Sequence, residues 1–404
     1  MNSLSFNYNK YTFPNDWKKI KIKDALKLIE RPIEMKDKGI YELVTVRRNY
    51  QGIDSRGKFY GQKILVKKQF KLKQGDYVIS KRQISHGACG IVPQKLDGSI
   101  VSNEYNVFLP QKDINLEFIN LYSQLPFMKR NFYISSDGVH IEKLLFKTKD
   151  WMKKNICIPE LNEQKYIVQI YNTVNKNIEL KEKLLEEKLK QKNGLMERLL
   201  TGVLRLNGFN DNWQKLKLGK VMKERKEIGY NDLELLAITS ANGVVRRTEV
   251  DIKDNSSEDK SKYKRILPGD IGYNTMRMWQ GVSGISKYEG IVSPAYTILQ
   301  PTEMVDSEFM SYLFKLPKII NLFYRYSQGL VSDTLNLKYE NFRKIKVNIP
   351  TDINEQKMIA TILRNAYKEI DLLKKEIELL KQQKKGLMQL LLTGMVRVNL
   401  NNNK

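Results

Sequence analysis

The chain says one thing twice, and this repetition limits its fold more than any other feature. Asn162-Glu163-Gln164 returns as Asn354-Glu355-Gln356, an offset of 192. Held at that offset without a gap, Lys165 falls on Lys357 and Gly194-Leu195-Met196 on Gly386-Leu387-Met388. Leu199-Leu200-Thr201-Gly202 likewise falls on Leu391-Leu392-Thr393-Gly394, and Arg205 on Arg397. A repeat of this kind sets the architecture before any motif is weighed. The segments ahead of the two stretches correspond with small shifts, as loop insertions produce. Phe13, Trp17 and Lys21 match Phe209, Trp213 and Lys217, while Gly75-Asp76, Gly87 and Gly90 match Gly269-Asp270, Gly281 and Gly284. Val101-Ser102 and Tyr105 match Val292-Ser293 and Tyr296. Leu125-Pro126, Phe132-Tyr133, Gly138 and Pro159 match Leu316-Pro317, Phe323-Tyr324, Gly329 and Pro350. The order is globule, long helix, globule, long helix.

From Ile359, apolar residues alternate at steps of four and three: Leu363, Ala366, Ile370, Leu373, Ile377, Leu380, then Lys384, Leu387 and Leu391. That is the 3.5-residue period of a coiled-coil seam. The first copy keeps the register through Ile167, Tyr171, Val174, Ile178, Lys181, Leu185, Lys188, Lys192, Leu195 and Leu199. Its seam lysines weaken the pattern, with Leu184 and Leu189 beside them as substitute apolar contacts. A helix of about 40 residues is roughly 60 Å long, and a globule of this size cannot cover it, so each helix needs a partner and the other copy is the nearest one. Pro159 and Pro350 precede Asn162 and Asn354, which are suited to capping, with Glu163 and Glu355 in the first turn. Gly202 and Gly394 suit a left-handed stop. Gly194 and Gly386, inside the helices, are read as close-approach points or as kinked turns.

Residues 1–160 and 207–352 are rich in β-branched and aromatic residues broken by glycine turns. Ile20-Lys21-Ile22, Lys63-Ile64-Leu65-Val66, Asp76-Tyr77-Val78-Ile79 and Tyr105-Asn106-Val107-Phe108 read as strands. Leu116–Met128 and Glu308–Leu322 read as helices. The fold class is therefore α+β: two tandem repeats, each a globular module with a strongly bent sheet followed by a long helix, the two helices pairing as an antiparallel coiled coil. The globules keep glycines, aromatics and turn residues but differ at most polar positions. Two related binding modules for different ligands would diverge in this way, as would plain drift after duplication.

Charge then narrows the partners. The chain carries 70 Lys+Arg against 45 Asp+Glu, a net +25, which points to a polyanion such as nucleic acid or an anionic membrane surface. The excess is uneven. Residues 1–160 hold 29 basic and 16 acidic side chains, whereas residues 207–352 hold 22 and 18. Two cysteines, Cys89 and Cys157, and two histidines, His86 and His140, cannot assemble a four-ligand zinc site. The N-terminal segment has no apolar core of signal length and no stretch of roughly 18 apolar residues occurs, so a reducing cytoplasm is the expected setting.

Catalytic motifs are weak. Gly52-Ile53-Asp54-Ser55-Arg56-Gly57-Lys58-Phe59 has the spacing of a phosphate loop, but Phe59 stands where Ser or Thr would hold magnesium, and a turn is the better reading. The prolines supply neither the Asn/Asp-Pro-Pro-aromatic loop nor the Pro-Cys pair of a nucleic-acid methyltransferase, and no acid-x-Lys nuclease element follows a Pro-Asp. What remains is binding chemistry. Ser80-Lys81-Arg82-Gln83 offers donors for base edges or phosphates, and its counterpart is Asn274-Thr275-Met276-Arg277-Met278-Trp279-Gln280. Arg47-Arg48-Asn49-Tyr50 is set against Asn242 to Arg246-Arg247, and Ser135-Ser136-Asp137 against Tyr324-Arg325-Tyr326-Ser327-Gln328. Any one run alone could be a solvated loop; recurrence at matching places favours a binding face.

Two modules each ending in Asn-Glu-Gln-Lys, a heptad helix and Gly-Leu-Met-x-x-Leu-Leu-Thr-Gly-x-x-Arg resemble the specificity subunit of type I restriction-modification systems, over essentially the whole chain. The resemblance implies residues 1–160 and 207–352 as target-recognition domains, each reading one half of a split double-stranded DNA sequence. It implies 161–206 and 353–404 as conserved spacer helices, the latter with a C-terminal tail. It further implies a non-catalytic chain with no cofactor of its own. S-adenosylmethionine, ATP and magnesium would sit on modification subunits, two in number, and on restriction subunits where present. Alternatives are the specificity subunit of a type II-like methyltransferase without ATP-driven cleavage, a nucleic-acid-binding coiled-coil scaffold, or an enzyme hidden in one globule.

Overall fold

The computed structural model describes residues 12–138, 144–239, 243–249, 259–331 and 334–398. Residues 1–11, His140, Asn242 and the tail residues 399–404 of the sequence reading lie outside the described residues. The chain divides into two units that are not consecutive in sequence. One comprises Met1–Leu180 with Ile377–Lys404, the other Lys181–Glu376. Each globule is thus grouped with half of each long helix, a division that cuts across the linear boundaries expected at residues 160, 206 and 352.

In the first unit, strand Lys18–Lys21 pairs antiparallel with Asn155–Ile158, so the module closes on itself just before the long helix begins. A four-stranded sheet runs in the order Leu26–Ile29, Tyr105–Pro110, Tyr77–Ser80, Cys89–Ile91. The second unit repeats both features. Gln214–Lys217 pairs with Lys346–Ile349, and the sheet order is Met222–Arg225, Tyr296–Pro301, Ile271–Asn274, Ser283–Ile285. A further sheet of five strands in the first module (Pro32–Ile33, Gln69–Lys71, Ile100–Ser102, Ile40–Val46, Ile53–Tyr60) includes a parallel step at Leu43–Ile100. Its counterpart in the second is reduced to the pairs Lys264–Ile266 with Gly290–Val292 and Leu236–Thr239 with Gly243–Arg246, linked by a parallel bridge at Leu235–Ile291. Among the described residues each module therefore holds four sheets, two-, four-, five- and two-stranded in the first and one four-stranded with three two-stranded in the second, rather than the one bent sheet expected.

Several local expectations change. Ile64, Leu65 and Val66 do not form a strand: a single 3-10 turn, Gly61–Lys63, precedes them, and Leu65 is almost fully exposed. Residues 52–59, read as a turn, fall almost entirely in strand Ile53–Tyr60, with Gly57 at φ +114 beside a register shift against Leu43-Val44. The helices expected over 116–128 and 308–322 are each broken in two, into Leu116–Tyr122 and Pro126–Ile134, and into Ser307–Leu313 and Pro317–Tyr326. Pro126 and Pro317 cause the breaks, since proline is accepted only in a helix's first turn.

The long helices run Leu161–Leu200 and Ile353–Leu392 and stop at Gly202 and Gly394, both left-handed. Their apolar ends belong to the module cores. Ile167, Val168, Met388, Leu391 and Leu392 pack with Trp17, Phe108, Phe132 and Trp151 in the first unit; Met196, Leu199, Leu200, Ile359 and Leu363 pack with Tyr273, Phe323 and Phe342 in the second. Inside each unit the two helical segments run antiparallel. Lys181 reaches Glu376 (2.9 Å) and Lys188 reaches Glu369 (2.7 Å), while Lys192 lies 4.5 Å over the Tyr367 ring. Lys384, at the same repeat position as Lys192, donates to Asn175 (2.8 Å) and lies over Tyr171. The seam lysines are cross-helix contacts, and Leu184 is exposed rather than substituting for them. Gly194 and Gly386 are neither close approaches nor breaks. A Cβ at either would meet nothing within 4 Å, and the helix is continuous through both.

The repeated Asn-Glu-Gln motif has a physical role in this packing. Gln164 donates to Pro159 O (2.9 Å) and Asp113 O (3.1 Å) and accepts from Asn115 N–H (2.9 Å). Gln356 makes the same three bonds, to Pro350 O (2.9 Å), Met304 O (3.1 Å) and from Asp306 N–H (2.8 Å). Glu163 accepts two bonds from Arg397 (2.7 and 2.8 Å), and Glu355 two from Arg205 (2.8 and 3.1 Å). Asn162 and Asn354 sit one residue inside the helices and are not their caps; Asp352 accepts from Asn354 N–H instead (2.7 Å).

Candidate nucleic-acid interface

In the first module the connection from strand Tyr77–Ser80 to strand Cys89–Ile91 holds one 3-10 turn, Ile84–His86, closed by Gly87 at φ +73. A Cβ on Gly87 would lie 2.6 Å from the Tyr50 ring, so glycine serves both the left-handed geometry and the contact. Asn49 and Tyr50, themselves left-handed, donate backbone N–H groups to His86 O and Gly87 O (2.8 Å each). These bonds set the turn bearing Arg47 and Arg48 onto the turn bearing Ser80 to Gln83. Phe146 N–H then donates to Lys81 O (2.9 Å) and Lys147 N–H to Ser135 O (2.7 Å), joining the third run, Ser135-Ser136-Asp137. Three runs far apart in sequence become one surface.

The side chains of this surface are partly engaged with one another. Arg47 pairs with Asp54 (2.8 Å) and Arg82 with Glu104 (2.7 Å), both exposed; the Lys81 ammonium donates to Asn103 O (2.6 Å). Exposed pairs contribute only about 0–1 kcal/mol, so an arriving phosphate competes well for these guanidinium groups. Arg48 is exposed, Gln83 half-buried, and Ser80 buried at the strand end.

The second module builds the equivalent turn with different chemistry. A 3-10 turn, Met278–Gln280, ends at Gly281 with φ +78. Asn274 accepts from Met276 N–H (3.0 Å), and the Trp279 indole donates to Met276 O (3.0 Å) while meeting the Tyr324 ring edge-on at 6.2 Å. Leu337 N–H donates to Thr275 O (2.9 Å), and Gln328 and Asn336 exchange two backbone bonds (2.9 and 2.8 Å). The run Tyr324 to Gln328 is thereby joined to the run Asn274 to Gln280. Arg277, Gln280, Tyr324, Arg325, Tyr326 and Gln328 are exposed.

Arg246 and Arg247 do not occupy the place of Arg47 and Arg48. Arg47 and Arg48 open the turn of their hairpin, whereas Arg246 ends strand Gly243–Arg246, pairs with Glu234 (3.4 Å) and lies 5.0 Å from the Tyr288 ring. Arg247 opens a 3-10 turn. The strands of this pair have four residues each, against seven and eight in the first module, which shifts the equivalence. Leu330 and Val331, which offer no side-chain hydrogen bond, also stand exposed two and three residues beyond Gln328. The signal was present in the sequence as two bulky apolar residues after a glycine.

The second unit also holds a cleft of about 1140 Å³ whose lining includes Lys192, Lys315, Arg364, Tyr312 and Tyr367. Burial pushes the Lys315 ammonium down to about 8, and it donates to Gly281 O and Ser283 O (2.7 and 2.8 Å). Arg364 pairs with Glu308 (3.0 Å). These cations hold the module's own carbonyl and carboxylate groups together. Among the described residues no cluster of three or more His, Cys, Asp or Glu side chains could hold a metal ion, and no helix is long and apolar enough to cross a membrane.

Comparison with known proteins gives a consistent result. The sequence pattern of the type I restriction modification DNA specificity domain matches residues 14–191 and again 210–382. The type I restriction enzyme MjaVIII specificity subunit of Methanocaldococcus jannaschii is 26% identical over 430 residues, covering 96% of this chain and 95% of the relative. The putative MjaX specificity subunit of the same organism is 24% identical over 424 residues, 95% of each. Among solved structures, the HsdS subunit from Thermoanaerobacter tengcongensis superposes with a TM-score of 0.60 at 16% identity, over 96% of this chain and 99% of that one. A chain from a type I R-M system solved to explain complex assembly and conformational transition gives 0.61 at 18% identity, over 96% and 100%.

Proposed function

The chain belongs to the family of type I restriction modification DNA specificity domains, two of which it carries, and on that premise we propose that it directs methyltransferase and restriction subunits to a bipartite DNA target. Each module recognises one half-site. The observation that carries this reading is the pair of turn surfaces: one backbone plan, with Ser80-Lys81-Arg82-Gln83 in one module and Asn274 to Gln280 in the other. Equal scaffolds with unequal donors suit unequal half-sites, as a symmetric dimer's identical halves suit a palindrome. The +13 charge balance of residues 1–160 supplies most of the salt-sensitive phosphate attraction. The second module, with Trp279, Tyr324 and Tyr326, relies more on shape and direct base contact.

In this reading the chain performs no chemistry. Methyl transfer from S-adenosylmethionine, and ATP- and magnesium-dependent cleavage where it occurs, belong to the partners, with two modification subunits matching the duplicated architecture. The setting is the cytoplasm, where these subunits meet DNA. Co-expression with the modification subunit, followed by sequencing of methylated bases, tests the reading. The expected result is a motif of two specified halves around an unspecified gap; a single uninterrupted motif, or none, contradicts it. Methylation that persists without any ATP-dependent cleavage favours the type II-like variant of the same function.

A further inference from the structure

Leu330 and Val331 are exposed where exposure is not explained by folding. The described residues on either side of them are bonded together. Its stem is closed by the two backbone bonds between Gln328 and Asn336, and Thr334 bonds back to Val331 through both its N–H and its hydroxyl (3.0 Å each). Gly329, at φ +146, could not take a side chain, since a Cβ would lie 2.6 Å from Thr334 O. Below the stem, Leu335 and Leu337 are buried, and Leu337 is held by Tyr273 and Thr275. A bonded stem with buried footings thus carries a leucine in full solvent and a valine more than half exposed. Loop tips are ordinarily polar, and paired apolar side chains displayed in this way mark a contact.

The neighbours identify what is contacted. Exposed Arg325 and Gln328 lie on the approach to the loop, exposed Lys338 follows it, and the turn bonded to its footing carries exposed Met276 and Arg277. An exposed apolar pair with cations on the segments that flank and brace it suits a side-chain wedge that enters a base step while the cations hold phosphates. We propose that Leu330 and Val331 form such a wedge, unstacking one base step in the half-site that the second module recognises. This rests on the reading of the chain as a DNA-specificity subunit. It makes deformability of that step a part of sequence selection, beyond any hydrogen bond to a base edge.

The test uses the full chain in complex with its modification subunit and a duplex carrying the motif that this complex methylates. 2-Aminopurine is placed in turn at second-half positions other than the methylated adenine. The wild-type complex raises fluorescence several-fold at one step, and the Leu330→Ser/Val331→Ser variant abolishes the rise with affinity about tenfold weaker, as for loss of one base-specific contact. Leu330→Met retains the rise. A rise that survives in the serine variant, or no rise at any step, overturns the wedge while leaving the methylated motif as separate support for the specificity function. Serine substitution that instead stops co-purification of the modification subunit assigns the tip to a protein contact and also overturns the wedge.

Discussion

At the scale of single residues, the duplicated motifs divide into those that close each unit and those that do not pack at all. Glu355 is almost completely buried, yet it receives Arg205 through two bonds and the Trp213 indole at 3.3 Å. Glu163 meets Arg397, whose guanidinium is also bound to Asp16 and is held above its ordinary pKa by these carboxylates. This explains why Glu and Arg recur at the 192-residue offset: a buried carboxylate without its cation is strongly destabilising. Gly194 and Gly386 are the opposite case. With open space where a Cβ would stand, Gly194→Ala and Gly386→Ala should each stabilise the chain by about 0.5–1 kcal/mol, the difference in helix propensity, read as a rise in the denaturant midpoint. The sequence showed that these glycines recur but not what surrounds them, because a glycine in a helix has the same letter whether it faces a neighbour or water.

At the scale of elements, periodicity was a reliable guide to the long helices and a poor one to the globules. The 3.5-residue seam located Ile359, Leu363, Ile370 and Ile377, all buried. The lysines that interrupt the first seam are explained by residues on the facing helix, Glu376 and Glu369 for Lys181 and Lys188 and the Tyr367 ring for Lys192, which no single-helix pattern contains. If Lys188 and Glu369 fix register as a pair, Lys188→Glu should destabilise the chain by about 0.5–1 kcal/mol, and adding Glu369→Lys should recover most of the loss. Thermal unfolding of the two single variants and the double variant measures the coupling; additive losses would mean that the pair does not interact. In the globules, strands of three or four residues leave too short a pattern to separate strand from turn. Lys63 to Val66 reads as a strand, yet only Ile64 is buried and Leu65 and Val66 stand exposed, while residues 52–59 read as a turn because glycines at 52 and 57 resemble a loop. The candidate DNA surface was legible as three runs in the first module and two in the second. Their assembly was not, since it depends on bonds such as Tyr50 to Gly87 and Leu337 to Thr275 between positions tens of residues apart.

At the scale of the whole molecule, the duplication is what gives the account its content. Two modules with the same four-stranded sheet order but different turn chemistry imply two independent readings of DNA, and loss of a contact in one should leave the other intact. The most direct measurement is the methylated motif, obtained by base-resolution sequencing of DNA exposed to the chain with its modification subunit. It should be taken in parallel for Lys81→Ala/Arg82→Ala and Arg277→Ala/Arg325→Ala. Each pair should relax or weaken one half of the motif only, by about 1–3 kcal/mol per lost base contact, the two variants affecting opposite halves. Equal relaxation of both halves by either variant would contradict the assignment of one module to one half-site.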